Sequence, residues 1–325
     1  MPAPPHAPHP RGRVLVEAPP FPLDVVADAL ADTGIEVETA SRPWSGDDIV
    51  GVLVWNPLTA ADIRRLPGLE VAAVCGVGVD QIDVDAATGR GVWVCNVPDY
   101  CVEEMADSSL ALLLALARGV VELDRSVRAG VWDDHAAGPL HRIRDIRLGL
   151  VGFGRIGRAV AARALALGIE VWASDPIVPA EEIAAAGAHA STLDDLLRSC
   201  TAISLHAPLR PETHGLIGER ELALLPDGAF LVNVSRAALV ETPALLRALR
   251  SGRLGGAALD VLEVEPPDTS APAPQAARLI VTPHASWYSP QAEEAVYRRA
   301  ALAVRDVLEG RRPAGAVNEP VARSL

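Results

Sequence analysis

Lysine is absent from the 325 residues; all 29 basic side chains are arginine. That absence removes a Schiff-base amine, a phosphate-loop lysine and a Tyr–Lys reductase pair, so a general base must be His, Asp, Glu, Tyr or Cys. Cysteine is scarce, and Cys75, Cys95, Cys101 and Cys200 lie at no metal-ligand or disulfide-scaffold spacing. No metal and a reducing, cytoplasmic home are therefore expected. No apolar run reaches the ~18 residues of a membrane span. The Pro- and His-rich start, Met1–Pro10, has no apolar signal core, so residues 1–12 are expected to form a disordered tail. Positive charge is outweighed, with a formal net charge of −13 and a pI of about 5.1, which argues against a nucleic-acid or anionic-membrane partner. Hydrophobic residues make up 50% of the chain, too many for general disorder, and the length favours two domains.

What is present is alternation. Short apolar runs at 13–17, 50–55, 70–75 and 91–96 read as strands, with helical stretches at 23–33, 60–66 and 84–89. Such alternation predicts a parallel, doubly wound sheet. Val102–Arg118 then reads as one long helix whose C-terminal half is apolar nearly all round and needs burial. Residues 120–146 read as a polar arm. Alternation restarts at Arg147 and runs to Thr282, and 290–310 is again helical. The expected fold is α/β with two doubly wound parallel-sheet domains, the second (102–283) inserted into the first (13–101 and 284–325). The last helix is expected to return to the first unit.

Leu148–Val151 is a strand running into Gly152-Phe-Gly154-Arg155-Ile156-Gly157 and then a helix. Gly152 permits the tight turn, Gly154 allows backbone approach to a pyrophosphate, and Gly157 lets helix and strand pack closely. The next strand ends at Asp175, 18 residues past Gly157, where a carboxylate accepts from an adenosine ribose and repels a 2′-phosphate. The full pattern points to NAD rather than NADP.

Three later strands carry polar groups just past their C-terminal ends: Asn233-Val-Ser-Arg236, Ala258-Leu-Asp260-Val with Glu265-Pro266, and Pro283-His284. With Gly76-Val77-Gly78-Val-Asp80, Asn96-Val-Pro98 and His206-Ala-Pro208, these ordered motifs make the chain resemble the D-isomer-specific 2-hydroxyacid dehydrogenases over roughly 13–312. Within that family, 282–289 and 102–109 look most like the C-terminal-binding-protein branch.

The resemblance implies a triad of Arg236, Glu265 and His284. Arg236 would clamp the carboxylate and keto oxygens, His284 would exchange the proton, and Glu265 would favour and orient the imidazolium. Glu263 competes for the acid role, but the family has Glu directly before Pro, which selects Glu265. The resemblance also implies Asp260 at the cofactor carboxamide, His206 and Pro208 beside the cofactor, and Gly76–Gly78 offering N–H groups to the substrate carboxylate. Trp55, Tyr100 and Trp287 are expected to wall a pocket for an apolar or aromatic side chain. Asn56, Val74 and Val77 carry no charge for a second anionic group. Ala237 stands where the family has Gly, and a left-handed backbone there would cost energy.

The expected activity is NAD-dependent hydride transfer on a small D-2-hydroxy or 2-keto acid, by a homodimer. The alternatives are an NAD(H)-sensing corepressor-like binding module, a phosphoglycerate or hydroxypyruvate/glyoxylate-type dehydrogenase, and phosphite oxidation, which should need basic pocket residues that are not evident.

Overall fold

The computed structural model describes residues 12–17, 22–267 and 276–320. The tail expected at 1–12 lies outside these except for Gly12, which is buried. Most of the Pro-rich stretch at 266–274 also lies outside them.

The chain divides into two units, one running to Tyr100 and resuming at Ser289, the other spanning Cys101–Tyr288. The first contains β1 (Arg13–Glu17), α1 (Leu23–Ala29), β2 (Glu36–Ala40), β3 (Ile49–Val54), α2 (Ala60–Arg64), β4 (Val71–Val74), α3 (Val84–Gly89) and β5 (Trp93–Cys95). The second opens with α4 (Val102–Arg118) and α5 (Val120–Arg128), followed by β6 (Arg147–Val151), α6 (Arg155–Ala166), β7 (Glu170–Ser174), α7 (Ala180–Ala185), β8 (His189–Ala190) and α8 (Leu193–Ser199). It continues through β9 (Ala202–Leu205), α9 (Glu219–Leu224), β10 (Ala229–Asn233), α10 (Thr242–Arg250), β11 (Leu254–Leu259) and β12 (Leu279–Val281). Helix α11 (Pro290–Leu308) closes the chain in the first unit.

Both sheets are parallel, with strand orders β2-β1-β3-β4-β5 and β12-β11-β10-β9-β6-β7-β8. Every residue of β3, β4 and β10 is buried, as expected of strands covered on both faces. Each order reverses once, between β1 and β3 in the first sheet and between β6 and β9 in the second. In open α/β sheets the crevice at such a reversal, outside the carboxyl ends of the strands, is where ligands bind.

The return of the last helix is observed. Ser289 caps α11 by accepting from Ala292 N (2.9 Å), and Pro290 supplies a pre-set first turn. Its buried face, Val296, Tyr297, Ala300, Ala301 and Val304, joins Val14, Val16, Leu53 and Val71 in one core cluster. Gly51 permits the approach, since a Cβ there would stand 3.0 Å from Val304 Cγ1 and 3.2 Å from Val14 Cγ2. In the second unit α4 packs on α6, β10 and β11, burying Leu110, Leu112, Leu113 and Leu116.

Some boundaries differ from those read in the sequence. The helix at 23–33 stops at Ala29. Strand β2 was not anticipated, because its Glu-Val-Glu-Thr-Ala is a half-exposed edge strand rather than an apolar run. Part of the arm, Val120–Arg128, is helical. His284–Tyr288 stays with the second unit instead of returning before His284, since Asp260 of that unit binds this segment. The four cysteines are buried and form no disulfide, and burial pushes the Cys95 and Cys200 thiols up to about 12, so those two are poor nucleophiles. No helix among the described residues is long and apolar enough to cross a membrane.

Tyr297 is 1% exposed, and its hydroxyl accepts from Trp55 Nε1 at 2.7 Å. Tyr297→Phe is expected to cost about 1 kcal/mol through loss of that bond, and Tyr297→Ala about 3–5 kcal/mol through the cavity left behind. Urea denaturation measures both, and equal costs would contradict this packing.

Candidate active site

The phosphate-loop glycines divide their work. Gly152 has φ +99°, and a Cβ there would lie 2.8 Å from the His206 carbonyl and from Ala207 N. A Cβ at Gly157 would lie 2.3 Å from Gly152 O. Both glycines are therefore demanded by the chain's own packing. Gly154 is different: a Cβ there would meet nothing within 4 Å, so its small size leaves open space against exposed backbone at the start of α6. Arg155, exposed on the first turn of α6, makes no hydrogen bond or ion pair with the described residues, and Ile156 beside it is half-buried. An open glycine, a helix N-terminus and an uncommitted guanidinium fit a dinucleotide pyrophosphate.

Asp175 ties this loop to the next strand. Its Oδ2 accepts from Phe153 N (2.7 Å), and its Oδ1 accepts from Ile177 N (2.8 Å) and Val178 N (3.0 Å). Burial works to raise its pKa, but these N–H groups outweigh burial and hold it below the ordinary carboxylate value. A carboxylate has further lone pairs, so a ribose hydroxyl can still be accepted. Arg158, which sequence distance hides from Asp175, lies near it and is paired with Glu182 at 2.7 Å.

His206 follows β9, and its Nε2 lies 2.9 Å from Ser204 Oγ. Burial of the ring pushes its pKa down to about 4, so it is neutral at neutral pH. Its Nδ1 is buried with no hydrogen-bond partner among the described residues, leaving one polar atom for a bound molecule. The Pro208 carbonyl accepts from Thr213 Oγ1 (2.7 Å), which fixes the turn after His206.

At the carboxyl ends of β10, β11 and β12 the structure gathers Arg236, Glu265 and His284. His284 Nδ1 lies 2.6 Å from Glu265 Oε2, and Glu265 Oε1 accepts from Leu262 N at 2.6 Å. Burial works to raise the Glu265 pKa, but the His284 bond, the Leu262 N–H and the charges of His284 and Arg236 bring it below the ordinary value. Arg236 donates to Ser235 O (3.0 Å), and its own carbonyl accepts from Asn233 Nδ2 (2.8 Å). Ala237 begins a 3-10 turn, Ala237–Leu239, and is not among the positive-φ residues. The strain expected from losing the family's glycine is therefore absent.

His284 itself has φ +51°, which is uncommon for a non-glycine residue. Asp260, 1% exposed, holds it there. The Asp260 carbonyl accepts from His284 N (2.8 Å), Oδ1 from Thr282 Oγ1 (2.5 Å) and Ala285 N (2.9 Å), and Oδ2 from Ser286 N (2.9 Å). Any contact of Asp260 with a carboxamide would share a carboxylate already engaged in positioning His284. Thr282, Ser286 and the internal bonds of Asn233 were missed in the sequence, because short-range turn bonding leaves no composition signal.

The remaining candidates divide between the units. Trp287 is half-buried and meets Tyr288 edge to face, with ring centroids 5.6 Å apart. In the first unit, Asn96 Nδ2 donates to Val77 O (2.6 Å) and Val97 N to Gly76 O (3.0 Å), which fixes the Gly76–Gly78 loop. Trp55 and Tyr100 are partly buried against the first unit's core, and Tyr297 fixes the Trp55 indole. Val74 is a buried core residue. The loop after β3 is not remote from charge, as its sequence implied, because Arg42 donates to Asn56 O (3.3 Å) and to Pro57 O.

A family model described as D-isomer specific 2-hydroxyacid dehydrogenase, NAD binding domain, matches residues 110–286. The chain is 41% identical over 315 residues to the D-3-phosphoglycerate dehydrogenase of Mycobacterium leprae, covering 92% of this chain and 59% of that protein. It therefore spans about three-fifths of that relative's length. It is 40% identical over 225 residues to the glyoxylate reductase of Thermococcus litoralis, covering 67% of this chain and 68% of that protein. The solved D-lactate dehydrogenase of Aquifex aeolicus, complexed with NAD and lactic acid, is similar with a TM-score of 0.81 at 27% identity, covering 91% of this chain and 96% of that one.

The depressed pKa of His206 sets the direction of one pH effect. Between its ordinary 6.5 and about 4 the unfolded chain binds a proton that the folded chain does not. This contribution to stability is full above pH 6.5 and is lost as pH falls toward 4. Urea denaturation across that window should show a shallower pH dependence in His206→Gln than in the unmodified protein. Identical slopes would contradict a buried neutral imidazole.

Proposed function

Because the chain belongs to the D-isomer-specific 2-hydroxyacid dehydrogenase family, we propose that it is an NAD-dependent enzyme interconverting a small 2-keto acid and its D-2-hydroxy acid. The observation that carries this reading is the 2.6 Å His284–Glu265 pair, with Arg236 in the same field at adjoining strand ends. Bound nicotinamide supplies the hydride in reduction and takes it up in oxidation. In reduction, His284 gives the proton to the substrate oxygen through Nε2, while Nδ1 stays on Glu265. Glu265 favours the imidazolium before transfer and keeps the ring orientation afterwards. Arg236 pairs with the substrate carboxylate as a planar fork. The Gly152–Gly157 loop, Arg155, Ile156, Asp175, His206 and Pro208 hold the dinucleotide, and Asp175 disfavours a 2′-phosphate.

The substrate reading shifts from the apolar or aromatic acids expected at first to the glyoxylate, hydroxypyruvate and phosphoglycerate class. The names of the relatives favour that class. Within it, uncharged Asn56 and buried Val74 favour the unphosphorylated acids. The apolar-substrate reading rests on Trp55, Tyr100 and Trp287, and the likeness to the C-terminal-binding-protein branch on 282–289 and 102–109. A corepressor-like role would predict NADH binding without turnover. A reducing, cytoplasmic setting suits four buried cysteines that form no disulfide.

A twofold homodimer is part of this proposal. Val120, Val127 and Val131 are 50–55% exposed and Trp132 is 91% exposed, a large apolar surface for one short segment. The buried Glu122 carboxylate beside it has no hydrogen-bond partner among the described residues. Light scattering at micromolar concentration should give twice the chain mass, and Trp132→Asp should shift it toward the monomer. A monomeric unmodified protein would refute the dimer.

The activity test is NADH oxidation with a panel of keto acids. Glyoxylate and hydroxypyruvate should exceed phenylpyruvate and 3-phosphohydroxypyruvate in kcat/KM. A preference for phenylpyruvate that Trp287→Ala abolishes would restore the aromatic pocket. No turnover with any member would refute the enzymatic reading.

A further inference from the structure

One cleft of the second unit lies away from the candidate active site. Its volume is about 530 Å³, and it is lined by Arg118, Leu140, Arg142, Ile143, Arg144 and Leu167. That volume falls within the ~300–1,000 Å³ of small-molecule pockets. All six residues belong to the second unit. Arg118 ends α4, Arg144 stands shortly before β6, and Leu167 directly follows α6. The cleft is therefore at the amino edge of the second sheet. Gly152, His206, Arg236 and His284 all follow the carboxyl ends of their strands. The five residues of β6 alone separate the two edges by roughly 15 Å.

The lining holds three guanidinium groups and no carboxylate, in a chain of net charge −13. Arg118 Nη1 donates to His141 O at 3.1 Å, which steadies that side chain. Arg142 and Arg144 make no hydrogen bond or ion pair through their side chains with the described residues. Carboxylates are not scarce on the neighbouring helices: Arg163, one turn before Leu167, contacts both Glu103 and Asp107. A cation at a helix C-terminus complements the macrodipole, and this accounts for Arg118 in the last turn of α4. It does not account for Arg142 and Arg144, which lie beside and within the 3-10 turn Ile143–Asp145 that leads to β6. Three like charges around one cleft repel one another unless an anion lies between them. Their planar forks match phosphate or carboxylate oxygens, and Leu140, Ile143 and Leu167 offer apolar contact to a carbon skeleton.

We propose that this cleft is a binding site, separate from the candidate active site, for a small organic anion carrying two or more phosphate or carboxylate groups. It requires neither the dehydrogenase reading nor the dimer.

Isothermal titration calorimetry at low salt tests it, with citrate as the carboxylate probe and fructose 1,6-bisphosphate as the phosphate probe. Saturable binding of either, at one per chain and weakening as salt rises, is the expected result, and the tighter probe identifies the preferred group. Arg142 and Arg144 are exposed, so their variants should fold. Arg144→Gln should weaken binding about fivefold and the double variant Arg142→Gln/Arg144→Gln about 25-fold. Arg155→Gln and Arg236→Gln should leave it unchanged, which separates this cleft from the candidate dinucleotide and substrate sites. No binding of either probe would overturn the proposal, as would binding that depends on Arg155 or Arg236 instead. An equal loss on removing two exposed arginines elsewhere, Arg64→Gln with Arg250→Gln, would show diffuse attraction to surface charge and overturn it. A dimer that the Arg142→Gln/Arg144→Gln variant dissociates, with neither probe bound by the unmodified protein, would assign these arginines to a second copy and overturn it as well.

Discussion

The buried carboxylate of Asp260 is the interaction on which the candidate site depends. Three donors of the 282–286 turn converge on it, and its own carbonyl takes the N–H of His284. Those bonds help to hold His284 at φ +51°, a conformation that costs of order 1–3 kcal/mol for a non-glycine residue. The strained backbone aims the imidazole at Glu265, and the Glu265 carboxylate is fixed in turn by Leu262 N. Asp260 N bonds to Asn233 O, so the same network reaches the strand that ends before Arg236. One acid thus links the turn that carries His284 to the strand that leads to Arg236.

Charge poses the second constraint. In the function we propose, a chain of net charge −13 has to receive both a dinucleotide and an acid substrate. The first would meet backbone N–H groups, the start of α6 and Arg155. The second would meet Arg236, whose charge also lowers the Glu265 pKa. Elsewhere much of the arginine is paired off: Arg13, Arg163, Arg220 and Arg311 each contact two carboxylates. The pairing of Arg42 with Glu17 extends this economy of positive charge to the edge of the first sheet.

The architecture and the gathering of Arg236, Glu265 and His284 were legible in the sequence because their signals are local. A buried parallel strand is an apolar run, and the phosphate loop is a glycine pattern within six residues. Arg236, Glu265 and His284 each follow such a run, so topology alone brings them to one sheet edge. The rest was hidden because it is non-local or polar. Glu17, Arg42 and the loop at 55–57 come from separate segments, and no spacing rule connects them. Strand β2 lacks an apolar signal because it is an edge. The return of the chain to the first unit was placed too early, because the bonds from Asp260 to residues 284–286 cannot be seen in either segment alone.

The central claim is that His284, positioned by Asp260 and Glu265, protonates the carbonyl oxygen of a 2-keto acid as hydride from NADH is added to one face of its C2. The most direct measurement is the reduction of hydroxypyruvate with NADH, with the glycerate product resolved on a chiral column, in the unmodified protein and in His284→Asn. The account predicts D-glycerate, and a loss of turnover in the variant of about 100-fold or more with NADH affinity retained. L-Glycerate, or turnover that survives the loss of His284, would contradict it.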